Sequence, residues 1–365
     1  MKRTDEQPAP VPPLPSLEPL RLVAPDGSRV SGPAFDSPDH STLVALLRAM
    51  VIGQRFDNQA STLARQGRLA VYPSSRGQEA CQVGGTLALA QRDWLFPTYR
   101  DCVSLVSRGV DPVEVLTLLR GDWHSGYDAE THRCAPQCTP LATNASHAVG
   151  LTYAARRRGE NAAALVLMGD GATSEGDAHE AYNFAAVWNT PVVFLIQNNH
   201  WAISVPVREQ SAAPTLAHKA LGYGMRGYHV DGNDAAAVHA VVSHALAEGR
   251  SGAGPTIIEA RTYRRGPHTN SDDPRRYRDE DEARQWAERD PVQRLETLLR
   301  AEGLLDDGEM ERIEAQAEQV ASRVRERVAT DGRPTPSELF SHVYGSAPAL
   351  LARQRQELLG EIQEG

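Results

Sequence analysis

Residues 165–204 read LVLMGDGATSEGDAHEAYNFAAVWNTPVVFLIQNNHWAIS. An apolar run from Ala162 to Met168 ends in Gly169-Asp170-Gly171, and a polar turn follows. From Asp177 to Trp188, Ala, Tyr, Phe, Val and Trp recur at helical spacing. A second apolar run, Pro191 to Ile196, ends in Gln197-Asn198-Asn199. The order is strand, turn, helix, strand. Two strands joined by one helix run parallel, with a right-handed crossover. Their carboxyl ends share one sheet edge, so Asp170 and Asn199 are expected to meet there, where open α/β sheets bind ligands. One carboxylate, one amide oxygen and a nearby main-chain carbonyl form a hard oxygen set. Such a set suits Mg²⁺, which keeps positions for water and phosphate oxygens. Gly171 permits backbone close to a phosphate at a helix N-terminus.

The chain around this unit has 365 residues, 41% of them hydrophobic, enough for a large core. A net charge of −9 gives no general affinity for nucleic acid or anionic membrane. No apolar run approaches membrane-spanning length, and Met1 to Pro15 lacks a signal-peptide core. Four cysteines do not make a disulfide scaffold in a chain this long. The expectation is a soluble cytoplasmic protein. Met1 to about Asp39 is Pro-rich and charged, and reads as an extended or partly disordered arm. Ser41 to about Arg68 is helical, with Leu43, Leu46, Leu47, Met50 and Val51 as its apolar stripe. Arg55 and Asp57 read as ordinary surface charges. Ala145 to about Arg157 is a helix whose Ala148, Gly150, Ala154 and Ala155 allow close packing. Tyr228-His229-Val230 and Pro255 to Thr262 are strands around the helix Ala235 to Arg250, with Asp234 at its N-cap. They add a second βαβ step to the same sheet. Beyond Asp279 the chain is helical and charged, with Asp290-Pro291 starting one helix and Asp306-Asp307 another.

Further stretches carry candidate chemistry. Tyr99-Arg100 follows Trp94-Leu95-Phe96-Pro97. A guanidinium can grip a diphosphate bidentately and a phenol can add a hydrogen bond; without context such a pair is a surface feature. His268, in the loop RTYRRGPHTNSDDP after the strand ending at Thr262, can reach the same sheet edge. Its bland reading is a loop histidine bonded to Asp272 or Asp273. His124, His132, Cys134 and Cys138 lie close in sequence, but their spacing matches no zinc pattern. A loop with buried thiols is the preferred reading.

GDGATSEGD followed by QNNHWAIS resembles the thiamine diphosphate motif, in the form used by α subunits of 2-oxo acid dehydrogenase E1 components. The resemblance runs from about Leu43 to the C-terminal helix and is closest to the branched-chain members. It implies an α/β thiamine-diphosphate-binding fold, a parallel sheet flanked by helices. It divides the chain into an extended arm (1–40), the cofactor-binding domain (41–290) and a helical C-terminal region packed on it (291–365). By this resemblance Asp170, the Asn199 side chain and the Trp201 main-chain carbonyl bind Mg²⁺. Gly171 and Ala172 contact the diphosphate through their backbone, as Tyr99 and Arg100 do through their side chains. Leu141, in Pro140-Leu141-Ala142-Thr143, offers its backbone to the aminopyrimidine. His268 contacts the diphosphate near the reacting carbon and is the catalytic candidate.

The resemblance also implies partners. The Glu that pairs with the aminopyrimidine comes from a separate β subunit, so an α₂β₂ heterotetramer is expected, passing its acyl group to the lipoyl domain of an E2 acyltransferase. Some pyruvate-type members carry a His in the loop matching Tyr72-Pro73-Ser74-Ser75-Arg76; this chain has none, a lean towards bulkier, branched-chain 2-oxo acids. Departures are Thr98, where branched-chain members often have Gln, Pro267, where animal forms have a first His, and a loop before His124 that is shorter than the family's. The motif residues are shared with pyruvate and acetoin dehydrogenases, which stay open, and the altered 122–138 loop keeps a non-catalytic subunit as a further reading. A nicotinamide-binding reading of GDGATSEG fails, because Ser174 stands where the third glycine belongs and Asn198-Asn199 where a ribose-binding acid belongs.

Overall fold

The alternation of side chains along the central strands sets the layers. In β2 (Ala164–Gly169) Leu165 and Leu167 face one apolar cluster, and Ala164, Val166 and Met168 face another. In β3 (Val192–Asn198) Val193 and Leu195 share the first face, and Val192, Phe194 and Ile196 the second. Both strands are buried on both faces, as a parallel sheet covered by helices requires. The computed structural model that shows this describes residues 12–122, 124–330, 335–341 and 343–364. The first part of the expected arm, residues 1–11, lies outside the described residues.

Three further strands complete the main sheet. With β1 (Trp94–Phe96), the hairpin strands β4 (Trp201–Ala202) and β5 (Val205–Pro206), then β6 (Arg226–Asp231) and β7 (Thr256–Arg261), the order is β1-β2-β3-β7-β6, all parallel. The central unit is parallel as read from sequence, with Gly169 abreast of Gln197, so Asp170 and Asn198 leave the sheet side by side. The second βαβ step is also parallel.

One face carries the helices His40–Arg65, Glu79–Leu87, Ala235–Ser251 and Pro291–Ala301. The other carries Thr143–Arg157 and Gly176–Trp188. Helix Asp307–Thr330 buries Ile313, Ala317, Ala321, Val324 and Val328 at 3–4 residue spacing, and Arg55–Glu318 (2.7 Å) and Arg48–Glu309 (2.8 Å) tie it to His40–Arg65. In Thr143–Arg157, Ala148 and Ala155 are buried, but Gly150 faces outward and Ala154 is half-buried, so only part of the small-residue stripe packs. The N-terminal segment is not loose where it is described. Leu20 pairs with the edge of β6 through Leu20 N–His229 O (2.8 Å) and Asp231 N–Leu20 O (3.0 Å), and Asp234 accepts from Leu22 N and Val23 N. The open edge of β6 is thereby covered.

One sequence expectation is overturned outright. Asp57 is not a surface charge: it is 1% exposed and accepts three hydrogen bonds from residues 72–75. The helix turns its position 57 inward, along the same stripe as Met50 and Ala60. Arg55, two residues away, does lie near the surface, paired with Glu318.

Candidate functional site

The carboxyl ends of four parallel strands open onto one cavity of about 480 Å³. From β2 come Asp170, Gly171 and Ala172, and from beyond β3 come Asn199 and Trp201. The segment after β1 brings Tyr99 and Arg100, and the loop after β7 brings His268; Leu141 closes one side. Every residue expected to bind the cofactor or its metal lines this space, and His124, His132, Cys134 and Cys138 do not. A chain that crosses the same sheet edge four times delivers distant residues to one place, the reason ligands collect there.

One end of the cavity is built around a carboxylate. Asp170 is 1% exposed, and burial raises its pKa above the ordinary carboxylate value. Gln210 Nε2 donates to Asp170 Oδ2 at 2.7 Å. The Asn199 carboxamide is held on both sides: Nδ2 donates to Gln78 Oε1 (2.5 Å), and Oδ1 accepts from Trp201 N (3.2 Å). Gly171 opens a 3₁₀ turn, Gly171–Ser174, that leads into helix Gly176–Trp188. It has no room for a side chain: a Cβ there would stand 2.7 Å from Ala202 Cβ in the hairpin opposite. Left-handed backbone gathers around this end, at Ala142 (φ 64°), His200 (φ 72°) and Ile203 (φ 55°). Strain of this kind collects at functional sites.

Positive charge gathers in the same cavity. Arg100 Nη2 donates to the His268 main-chain carbonyl and faces His268 Nδ1, both at 3.0 Å, while Arg264 Nη1 approaches the same Nδ1 at 3.3 Å. Burial first, then Arg100 and Arg264, push the His268 pKa down to about 4. The imidazole is neutral at pH 7. Two guanidinium donors on Nδ1 make that nitrogen the acceptor and leave the proton on Nε2. The expected alternative partner, an aspartate, bonds elsewhere: Asp272 Oδ2 accepts from the His268 main-chain N–H (2.7 Å). Tyr99 packs edge-on to His268, with ring centroids 6.2 Å apart, and the Arg100 guanidinium lies 5.5 Å from the Tyr99 ring centre. Thr98 turns its hydroxyl to Asp101 (2.6 Å).

A buried carboxylate and two guanidinium groups lining one cavity call for opposite charges. A cation beside Asp170 and an anion beside Arg100 and Arg264 would answer both, and a metal–diphosphate pair has that polarity. Two buried amide oxygens that have no donor among the described residues, Gln197 Oε1 and Gln210 Oε1, point the same way. The residues present therefore fit such a group.

Several contributors escaped the sequence reading. Arg264 is buried and bonds the carbonyls of Trp201 (3.3 Å) and Ile203 (2.7 Å), which fixes the hairpin over the site. Gln78 and Gln210 orient Asn199 and Asp170. None has a local sequence signal beyond being polar next to a motif. In the 124–138 loop, Cys134 is buried and Cys138 half-buried. No group of three or more His, Cys, Asp or Glu that could hold a metal occurs among the described residues. Nor is any helix among them long and apolar enough to cross a membrane.

Fold and cavity together define an α/β protein of the kind that takes its ligand across the carboxyl edge of a parallel sheet. The chain belongs to the dehydrogenase E1 component family, whose sequence profile matches residues 47–337. That family is thiamine-diphosphate-dependent in general. The chain is 47% identical over 348 residues to the 3-methyl-2-oxobutanoate dehydrogenase subunit alpha of Mycobacterium tuberculosis (strain ATCC 25618 / H37Rv), with 95% of each chain covered. It is 36% identical over 341 residues to the pyruvate dehydrogenase E1 component subunit alpha of Staphylococcus aureus (strain MRSA252), covering 93% of this chain and 92% of the relative.

Proposed function

We propose that this chain is the α subunit of a 2-oxo acid dehydrogenase E1 component that acts on branched-chain 2-oxo acids of the 3-methyl-2-oxobutanoate type. The observation that carries the cofactor reading is the meeting of opposite charges in one cavity, the buried Asp170 carboxylate with the Arg100 and Arg264 guanidinium groups about His268. Asp170, the Asn199 side-chain oxygen and the Trp201 carbonyl would hold Mg²⁺ as a template for the diphosphate. Tyr99, Arg100 and His268, with the main chain of Gly171 and Ala172, would hold the diphosphate itself, and the Leu141 main chain would meet the aminopyrimidine. When bound, thiamine diphosphate supplies the nucleophilic carbon and the electron sink for decarboxylation. His268, neutral with its proton on Nε2, would donate a hydrogen bond towards the reacting centre.

The subunit-alpha names of the relatives support a β partner; the reading adds an α₂β₂ assembly that completes the site, a lipoyl domain of E2 as acyl acceptor, and a place in the cytoplasm. The same reading divides the described chain into an arm within 1–40, the cofactor domain within 41–290, and a helical region within 291–365 packed on it. The substrate follows the more similar of the two relatives; pyruvate is the alternative that the second supports. The test is decarboxylation by the chain co-purified with its β subunit, with Mg²⁺, thiamine diphosphate and an artificial electron acceptor. Preference for 3-methyl-2-oxobutanoate and 4-methyl-2-oxopentanoate over pyruvate supports the assignment. Preference for pyruvate transfers it to the alternative, and a stable, cofactor-loaded complex without activity would mark a non-catalytic subunit.

A further inference from the structure

The carboxylate that the helix His40–Arg65 turns inward has no place in the cavity, yet it is connected to it. Asp57 Oδ1 accepts from the Tyr72 hydroxyl (2.9 Å) and from the Ser75 main-chain N–H (2.7 Å), and Oδ2 accepts from the Ser74 hydroxyl (2.6 Å). All three donors belong to one short loop. That loop grips Arg100 at both ends. The Ser74 carbonyl accepts from Arg100 Nη1 at 3.0 Å, and the Ser75 hydroxyl donates to the Arg100 main-chain carbonyl at 2.7 Å. The loop also reaches the other side of the site, since the Tyr72 main-chain N–H faces Asn270 Oδ1 at 3.3 Å, two residues beyond His268.

A buried carboxylate is an expensive way to fill a helix face that otherwise packs Met50, Phe56 and Ala60. What it offers is acceptor capacity. An ionised carboxylate accepts at both oxygens and donates nothing, so one side chain can collect three donors. An amide in its place presents an NH₂ to one of them. The chemistry thus suits a fastening point more than a packing element.

We propose that Asp57 is a positioning residue for Arg100: it gathers residues 72–75 into the conformation whose Ser74 carbonyl and Ser75 hydroxyl aim the guanidinium at the cavity. This rests on the reading of Arg100 as a diphosphate ligand. The carboxylate acts at one remove, through hydrogen bonds that leave the cavity lining unchanged in composition.

A double-mutant cycle tests it. The αβ complex is prepared as wild type, Asp57→Asn, Arg100→Ala and the double variant, and the Kd for thiamine diphosphate with Mg²⁺ is measured by calorimetry. Loss of a hydrogen bond to a charged group predicts a Kd about tenfold weaker for Asp57→Asn. The double variant should bind no more weakly than Arg100→Ala alone, because the effect of Asp57 passes through Arg100. If the Asp57→Asn loss adds in full to that of Arg100→Ala, or if Asp57→Asn binds within about twofold of wild type, Asp57 is a structural residue only and the proposal fails. If Arg100→Ala itself leaves the Kd unchanged, the diphosphate reading of Arg100 fails first, and the two failures are told apart by that single variant. Should Asp57→Asn not assemble, Ser74→Ala keeps the carboxylate, removes one of its donors and enters the same cycle with the same expected outcomes.

Discussion

Replacing Gly171 by alanine adds one methyl group at the most crowded point of the site. Its Cβ would stand 2.7 Å from Ala202 Cβ and 3.6 Å from Ala202 Cα. Carbon atoms in contact settle at roughly 3.5–4.0 Å, so the two chains must part by about 1 Å. Ala202 has no longer side chain to swing away, and it sits in the β4–β5 pairing opposite Val205, so the hairpin moves as a unit. Gly171 does not use a left-handed backbone, so alanine brings no conformational penalty and reduces unfolded-chain freedom by roughly 0.4–1 kcal/mol in favour of folding. Against this stands an overpacking cost of roughly 1–3 kcal/mol. The expected net loss is about 1–2 kcal/mol, a fall in Tm of a few degrees. The effect on binding is larger, because the displaced hairpin carries the Trp201 carbonyl proposed above as a metal ligand. Mg²⁺ demands near-ideal octahedral geometry, and an error of about 1 Å in a placed group costs on the order of 100-fold. Differential scanning fluorimetry with and without Mg²⁺ and thiamine diphosphate reads both effects: a small drop in Tm without ligand, and loss of most of the ligand-induced rise. A Gly171→Ala protein with wild-type Tm and a wild-type ligand-induced rise would refute the tight cradle on which this reasoning stands.

Two other outcomes follow from the same geometry. His268 has a folded pKa of about 4, below the ordinary 6.5, so the unfolded chain takes up its proton first as pH falls; its contribution to stability is present above about pH 6.5 and is lost as pH drops towards 4. An anion bound beside Arg100 and Arg264 raises that pKa, so cofactor binding near pH 6 should take up protons, visible as a buffer-dependent binding enthalpy; equal uptake in a His268→Asn variant would reject the assignment. Asp234 caps helix Ala235–Ser251 at Ala237 N, holds Leu22 N and Val23 N, and faces Arg294. Asp234→Ala removes all of this and leaves buried donors unpaired, a loss of roughly 3 kcal/mol or more by chemical denaturation, and a loss under about 1 kcal/mol would show that the N-terminal segment is not stitched through this carboxylate.

The strands that position the site were legible because their residues follow a simple rule. Buried parallel strands read as unbroken apolar runs, and each run ends where the polar motif begins, so Asp170 and Asn199 could be placed on one edge before any coordinates. Loop residues were harder. Arg100 and His268 carry chemistry that fits a phosphate, but nothing in the sequence says that a segment near residue 100 and one near 268 share a cavity. Only the resemblance linked them. β1 escaped as a strand because three residues are too few for a pattern. Arg264, Gln78 and Gln210 gain their roles from partners far away in sequence. Asp57 is the instructive miss. Position 57 falls two heptads after Leu43 and one after Met50, on the inward stripe, so periodicity alone would have buried it. Its charge argued for the surface, and the donors that satisfy it, Tyr72, Ser74 and Ser75, become visible only when the chain has folded back on the helix.

The central claim is that the cavity binds thiamine diphosphate through a divalent metal at Asp170 and the cationic groups Arg100 and Arg264. Its most direct test is calorimetric titration of thiamine diphosphate into the chain assembled with its β subunit, with Mg²⁺ and after chelation, for wild type and Asp170→Ala. The account predicts tight binding by wild type that requires Mg²⁺, and its loss in Asp170→Ala with or without the metal. Binding of equal strength in the chelated protein, or in Asp170→Ala, would contradict it.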